Sequence, residues 1–147
     1  MEKIKFSETI NAPGEKVWRV LWDDKTYRQW TKPFSEESHA KLDLREGGRA
    51  VFLDGNNCGM YSEIAKLVPN KVMSFKHLGS IKDGKDIPFE GEMECWTGSH
   101  ETYTLTETDG VTELVVEIDL IESFRDFMME KFPQVLGIAK RLSEEGE

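Results

Sequence analysis

Apolar positions near the end of the chain follow a different rhythm from those before them. Over residues 123–145 they fall at Phe124, Phe127, Met128, Phe132, Val135, Leu136, Ile138, Ala139 and Leu142. Gaps of three and four predict one long helix with a broad apolar face. Ser123 offers an N-cap, and Glu122 and Asp126 suit the positive end of the helix dipole. Pro133 removes a donor and crowds the carbonyl of Met129, which predicts a kink. Gly137 weakens the helix further, by about 1 kcal/mol against Ala. A helix with this aromatic face needs a large concave partner.

The preceding chain can supply one, because most of it alternates at period two. Ile4, Phe6 and Ile10 mark a half-buried strand over 3–11, ended by Ala12-Pro13-Gly14. Val17, Trp18, Val20, Leu21 and Trp22 return to helical spacing over 15–22; Asp23-Asp24 breaks that helix. A second short helix over 26–30 is stopped by Pro33. Trp18, Trp22 and Trp30 therefore form an aromatic corner. Strands over 40–46, through Leu42 and Leu44, and over 49–53 join at Gly47-Gly48, and Asp54–Asn57 reads as a turn. The pair 59–68 and 71–78 joins at Pro69-Asn70, and 100–108 pairs with 111–120 around Asp109-Gly110. Leu114, Val116, Ile118 and Leu120 should face inward. Residues 79–98 keep no period, with Lys82-Asp83-Gly84, Pro88 and Gly91, and are expected to form a mobile flap or a docked loop. The result is an α+β domain, a strand meander with helices on one face.

Particular stretches carry a family likeness. Ala12-Pro13 followed by Glu15-Lys16-Val17-Trp18 resembles the opening of START-like (SRPBCC) helix-grip proteins. Three further pieces are similar to the group related to the C-terminal domain of the Hsp90 ATPase activator Aha1. They are Tyr27-Arg28-Gln29-Trp30, Asp43-Leu44-Arg45-Glu46-Gly47-Gly48-Arg49, and residues 64–69 before Val72-Met73-Ser74-Phe75. The resemblance implies a Bet v 1-like curved antiparallel sheet of about six or seven strands wrapped on the C-terminal helix. It also implies an internal cavity and, for some members, an Hsp90-type chaperone as partner. Residues 79–98 have no counterpart in that pattern.

Composition narrows the function classes. The 147 residues suit a single domain over 1–147. A formal charge of −9, with no basic stripe, excludes a phosphate-backbone binder. No run approaches the ~18 apolar residues of a membrane span, and MEKIKFSETI has no signal-peptide core, so a cytoplasmic protein is expected. Cys58 and Cys95 are far apart and read as reduced thiols, although one disulfide is arithmetically open. Exposed strand edges leave monomer and homodimer both open.

Reactive chemistry is sparse. His77 follows Met73 and Phe75 at period two and should point inward, where it could orient a ligand, move a proton, or sit as a satisfied core residue. His39 and His100, at strand entrances, should be solvated. Neither metal-ligand spacing nor a G-x-S-x-G elbow occurs, so no metal or cofactor is expected. Glu90, Glu92, Glu94 and Glu101 surround Trp96 as a carboxylate pair, a mouth selective for cations, or a solvated acidic loop.

The apolar interior is the main candidate site. Trp30, Phe52, Tyr61, Phe75, Trp96, Tyr103, Phe127 and Met128 could line a gap between sheet and helix. His77 and the hydroxyls of Tyr61 and Tyr103 would be its polar points. The same residues also describe a filled core. A non-catalytic binder of a small hydrophobic or amphipathic ligand ranks first. An Hsp90-type co-chaperone or other protein-interaction module follows, then an enzyme using His77 or a pocket carboxylate.

Overall fold

The chain changes direction where Pro13 and Asp23 stand. In the computed structural model, which describes residues 2–145, strand β1 (Glu2–Ile10) leads into helices α1 (Gly14–Trp22) and α2 (Asp24–Trp30). Pro13, extended at ψ 154°, starts α1, and Gly14 N–H donates to Glu107 Oε1 at 2.8 Å. Asp23, at φ −71° and ψ 138°, ends α1 and begins α2, so one extended residue sets the angle between them. Thr31 closes α2 by donating from Oγ1 to the Tyr27 carbonyl at 2.7 Å.

Seven more strands complete the sheet: β2 (His39–Leu42), β3 (Arg49–Leu53), β4 (Gly59–Val68), β5 (Val72–Lys82), β6 (Lys85–Pro88), β7 (His100–Thr108) and β8 (Val111–Leu120). Their order is β1-β8-β7-β5-β4-β3-β2, with β6 beside β5. All pairs are antiparallel, and β1 lies along β8 from Glu2↔Leu120 to Ile10↔Thr112. Strand β2 is shorter than its pattern. It stops at Leu42, and Leu44 is 55% exposed in a turn where Arg45 N–H donates to the Asp43 carbonyl.

Residues 79–98 depart furthest from expectation. Strand β5 continues to Lys82, turns through Asp83 (φ 52°) and Gly84 (φ 79°), and returns as β6. Two successive positive φ values match the twist of a tight hairpin. One side of β5 thus holds two neighbours in turn: β7 along Val72–Lys76 and β6 along Gly79–Lys82. The 3-10 helix Gly91–Trp96 bridges them, with Phe89 and Trp96 buried. The segment is docked.

A bulge resets the faces of β5. Ser62 pairs with His77 but Tyr61 with Gly79, so Leu78 has no partner and the alternation shifts by one. On β4 no residue is added there, so Ser62 and Ile64 keep one face and Tyr61 and Glu63 the other.

Helix α3 (Glu122–Glu144) follows β8 after Ile121 alone. Ile121 is the N-cap residue and gives no side-chain cap; Ser123 lies inside the first turn instead. The joint is too short for the cap expected at Ser123, because buried Ile121 ties the helix directly to the strand. The helix continues through the exposed Pro133, which has no N–H to give the Met129 carbonyl. Its second half grips the sheet: Phe132, Val135, Leu136 and Ala139 are buried, and Phe132 stacks on Phe6 at 4.7 Å. Its first half does not, with Phe127 44% and Met129 42% exposed. The architecture is an α+β helix-grip fold, a curved, unclosed antiparallel sheet around a long C-terminal helix.

Candidate functional site

Because only half of α3 is seated, a cavity of about 640 Å³ remains beneath its first half. The sheet contributes Phe52, Phe75 and Tyr103 to the wall, and the helical corner adds Trp22, Tyr27 and Trp30. The 89–96 bridge brings Phe89, Met93 and Trp96, while Phe124, Phe127, Met128 and Phe132 descend from α3. The floor is an edge-to-face array, with Trp22 5.4 Å from Phe75 and 5.0 Å from Tyr103, and Phe52 5.0 Å from Phe75. Such contacts stiffen the wall without filling the space.

Trp30, Phe52, Phe75, Trp96, Tyr103, Phe127 and Met128 all line this space; Tyr61 and His77 do not. Tyr61 lies on the opposite face of β4, where the Arg49 guanidinium stands 5.0 Å over its ring. The even-odd parity of β4 excludes it, a test that listing aromatics alone does not apply. His77 points inward but is fully buried against Trp96, with ring centroids 4.8 Å apart. Its Nδ1 shares a 2.7 Å hydrogen bond with Ser62 Oγ, and its Nε2 lies 3.3 Å from Glu101 Oε1 without a hydrogen bond. Ser62 is 1% exposed and, like His77, does not line the cavity, so only the glutamate of this Ser-His-Glu line reaches it. His100 is exposed; His39 is half-buried, its Nδ1 3.0 Å from the Glu37 carbonyl.

The acidic cluster divides. Glu90, Glu92 and Glu94 are exposed, while Glu101 enters the cavity wall with its side chain 13% exposed. Tyr103 hydroxyl donates to Glu101 Oε2 at 2.5 Å. Burial pushes the phenol pKa of Tyr27 and of Tyr103 well up, and the Glu101 charge adds to both, so both stay neutral. The period-two spacing of Glu101 and Tyr103 on one strand is the sequence signal that separates Glu101 from the loop acids, since the two share a face. Trp22, Tyr27, Phe89 and Phe124 also belong to the wall; Trp22 and Phe124 share the helical periods of their segments, whereas Tyr27 and Phe89 carry no period pointing to it.

Trp96 locks the bridge in place by donating from Nε1 to the Asp119 carbonyl at 2.6 Å. Both cysteines are free thiols; Cys58 lines the cavity and Cys95 is exposed. Among the described residues no group of three His, Cys, Asp or Glu could hold a metal ion. Nor is any helix among them long and apolar enough to cross a membrane.

A half-seated helix over an aromatic-floored sheet defines a helix-grip domain with an open apolar cleft. The chain belongs to the Activator of Hsp90 ATPase homolog 1-like protein family, whose family model matches residues 11–138. Solved structures agree on the fold. The solution structure of the Aha1 dimer from Colwellia psychrerythraea is 20% identical, with a TM-score of 0.73, covering 100% of this chain and 99% of that one. A Mesorhizobium loti protein is 19% identical at a TM-score of 0.75, covering 99% of each. A protein from Arthrobacter aurescens is 14% identical at 0.73, covering 98% of this chain and 87% of its own. No curated protein matches the chain.

Proposed function

We propose that this domain is a non-catalytic binder of a small hydrophobic or amphipathic molecule, held between the sheet and the first half of α3. The observation that carries the reading is the aromatic-lined cavity of about 640 Å³, within the range of about 300–1,000 Å³ used by small-ligand sites. Partly exposed Phe127 and Met128 at its edge give the guest a way in through movement of the unseated helical half. The reading needs no cofactor and no reacting group. It assigns the binding contacts to Trp30, Phe52, Phe75, Trp96, Tyr103, Phe127 and Met128 in a cytoplasmic protein. Native mass spectrometry of protein purified from its own host tests it. A small molecule retained at one copy per chain is expected. A bare chain that also leaves its tryptophan fluorescence unchanged on titration with naphthalene would overturn the reading.

The family's name favours a second reading, an Hsp90-type co-chaperone, acting as a monomer or as a dimer like the Colwellia relative. Acceleration of an Hsp90-type ATPase by the purified chain, whether or not the cavity is loaded, would favour it over the first.

A further inference from the structure

We propose that the guest carries one ammonium or quaternary-ammonium group on an apolar body, with that charge placed against Glu101. The inference rests on the ligand-cavity reading and deepens it.

The chain has 19 lysines and arginines, and none lines the cavity; neither does any histidine. The charged side chains in the wall are Asp54 and Glu101. Asp54 is already engaged, its Oδ1 accepting from the N–H groups of Asn56 at 2.8 Å and Cys58 at 3.1 Å. Glu101 is not. Among the described residues its side chain accepts one hydrogen bond, from Tyr103, and His77 Nε2 at 3.3 Å makes none. A carboxylate held in an apolar wall costs free energy unless a donor or a positive charge meets it. Tyr103 meets Oε2 alone, and no lysine or arginine of the cavity wall meets Oε1, which leaves a place for a cation that the guest brings.

The surroundings suit that cation. Tyr103, whose hydroxyl holds Glu101, stands 5.0 Å from Trp22 and 6.5 Å from Trp30, and Tyr27 5.2 Å from Trp30, so aromatic rings cluster beside the residue that holds the carboxylate. Aromatic faces attract ammonium groups, most strongly where water is excluded. A guest carboxylate or phosphate would instead meet two fixed negative charges with no positive side chain to answer it. The positive end of the α3 dipole favours an anion at the mouth, but Glu122 in its first turn offsets that pull. Outside, Glu90, Glu92 and Glu94 and the net charge of −9 draw cations toward the opening.

Three naphthalenes of one shape separate the possibilities: naphthylmethyl-trimethylammonium, naphthylmethanol and naphthylacetate, titrated calorimetrically at pH 8 and low salt. The cation should bind more tightly than the anion by about tenfold or more, with the alcohol between them. In Glu101→Gln the ratio of cation to anion affinity should fall to within about threefold. Equal binding of all three to the natural chain, or preference for naphthylacetate, would overturn this inference and leave the cavity reading standing. A ratio that survives Glu101→Gln would remove Glu101 from the role. Failure of all three to bind would overturn the cavity reading and this inference with it.

Discussion

Phe132 lies flat on Phe6, ring centroids 4.7 Å apart and planes 11° from parallel, while Phe127 on the same helix is 44% exposed. The two phenylalanines divide α3 into a seated half that holds the fold and an unseated half that roofs the cavity. Phe132→Ala should therefore cost about 3–5 kcal/mol of stability. Phe127→Ala should cost less than about 1 kcal/mol and weaken binding of an apolar probe instead. Urea unfolding of both variants, read beside probe titration, checks the division. Comparable destabilisation by the two would mean that the first half of α3 is as firmly packed as the second.

Cys58 gives the cavity a chemical reporter. It lines the space, whereas Cys95 is exposed on the bridge. A bound guest should slow maleimide labelling of Cys58 by about tenfold while Cys95 reacts at its former rate. The ratio is measured by mass spectrometry of tryptic peptides. Equal slowing at both sites would point to a general rigidification rather than to occupancy.

Gly59 tests how closely the β3–β4 hairpin is drawn together. A Cβ there would stand 1.8 Å from the Phe52 carbonyl oxygen, a backbone atom that cannot swing aside. Gly59→Ala must pry the two strands apart and should cost about 1–3 kcal/mol or more. Because Phe52 and Met60 beside it line the cavity, probe affinity should fall as well. A melting curve and affinity both equal to those of the natural chain would show that the hairpin shifts freely.

Much of this architecture was legible because the relevant signals are local. Pro13 and Asp23 punctuate the helices where the sequence marks them, and Asp109-Gly110 turns β7 into β8 with φ of 52° and 81°. Asp83-Gly84 carries the same signal and the same geometry, at 52° and 79°. Pro88 and Gly91 obscure the short strand on its far side. Leu44 shows the opposite error: its period continues that of Leu42, yet the compact turn at Asp43–Gly48 removes it from the sheet. The site was harder to read than the fold. Aromatic content named most of the wall, but the bulge at Leu78, the parity of Tyr61 and the entry of Glu101 depend on pairing between strands far apart in the chain. Nothing in local periodicity says how much of a long helix will be seated, so the cavity itself was an implication of family resemblance.

Alkaline pH offers the last test, through the two buried phenols. Tyr27 and Tyr103 have pKa values raised far above the ordinary value of about 10, chiefly by burial and further by the charge of Glu101. In the unfolded chain both phenols ionise near pH 10, while in the folded chain both keep their protons. Below pH 10 the two states bind these protons equally, so the pair adds no slope. Above it the folded state binds more, and stability must fall as pH rises, by about 1.4 kcal/mol per pH unit for each tyrosine. Urea unfolding between pH 9 and 11.5, under conditions of constant ionic strength, should show that decline. Tyr27→Phe should remove close to half of it, leaving the curve below pH 10 parallel to that of the natural chain. Tyr103→Phe should do the same to the slope while also lowering stability at every pH, since Glu101 then loses its 2.5 Å donor. A double variant whose stability still falls as steeply above pH 10 would show that the decline comes from other groups and that the two phenols are not held neutral by the fold.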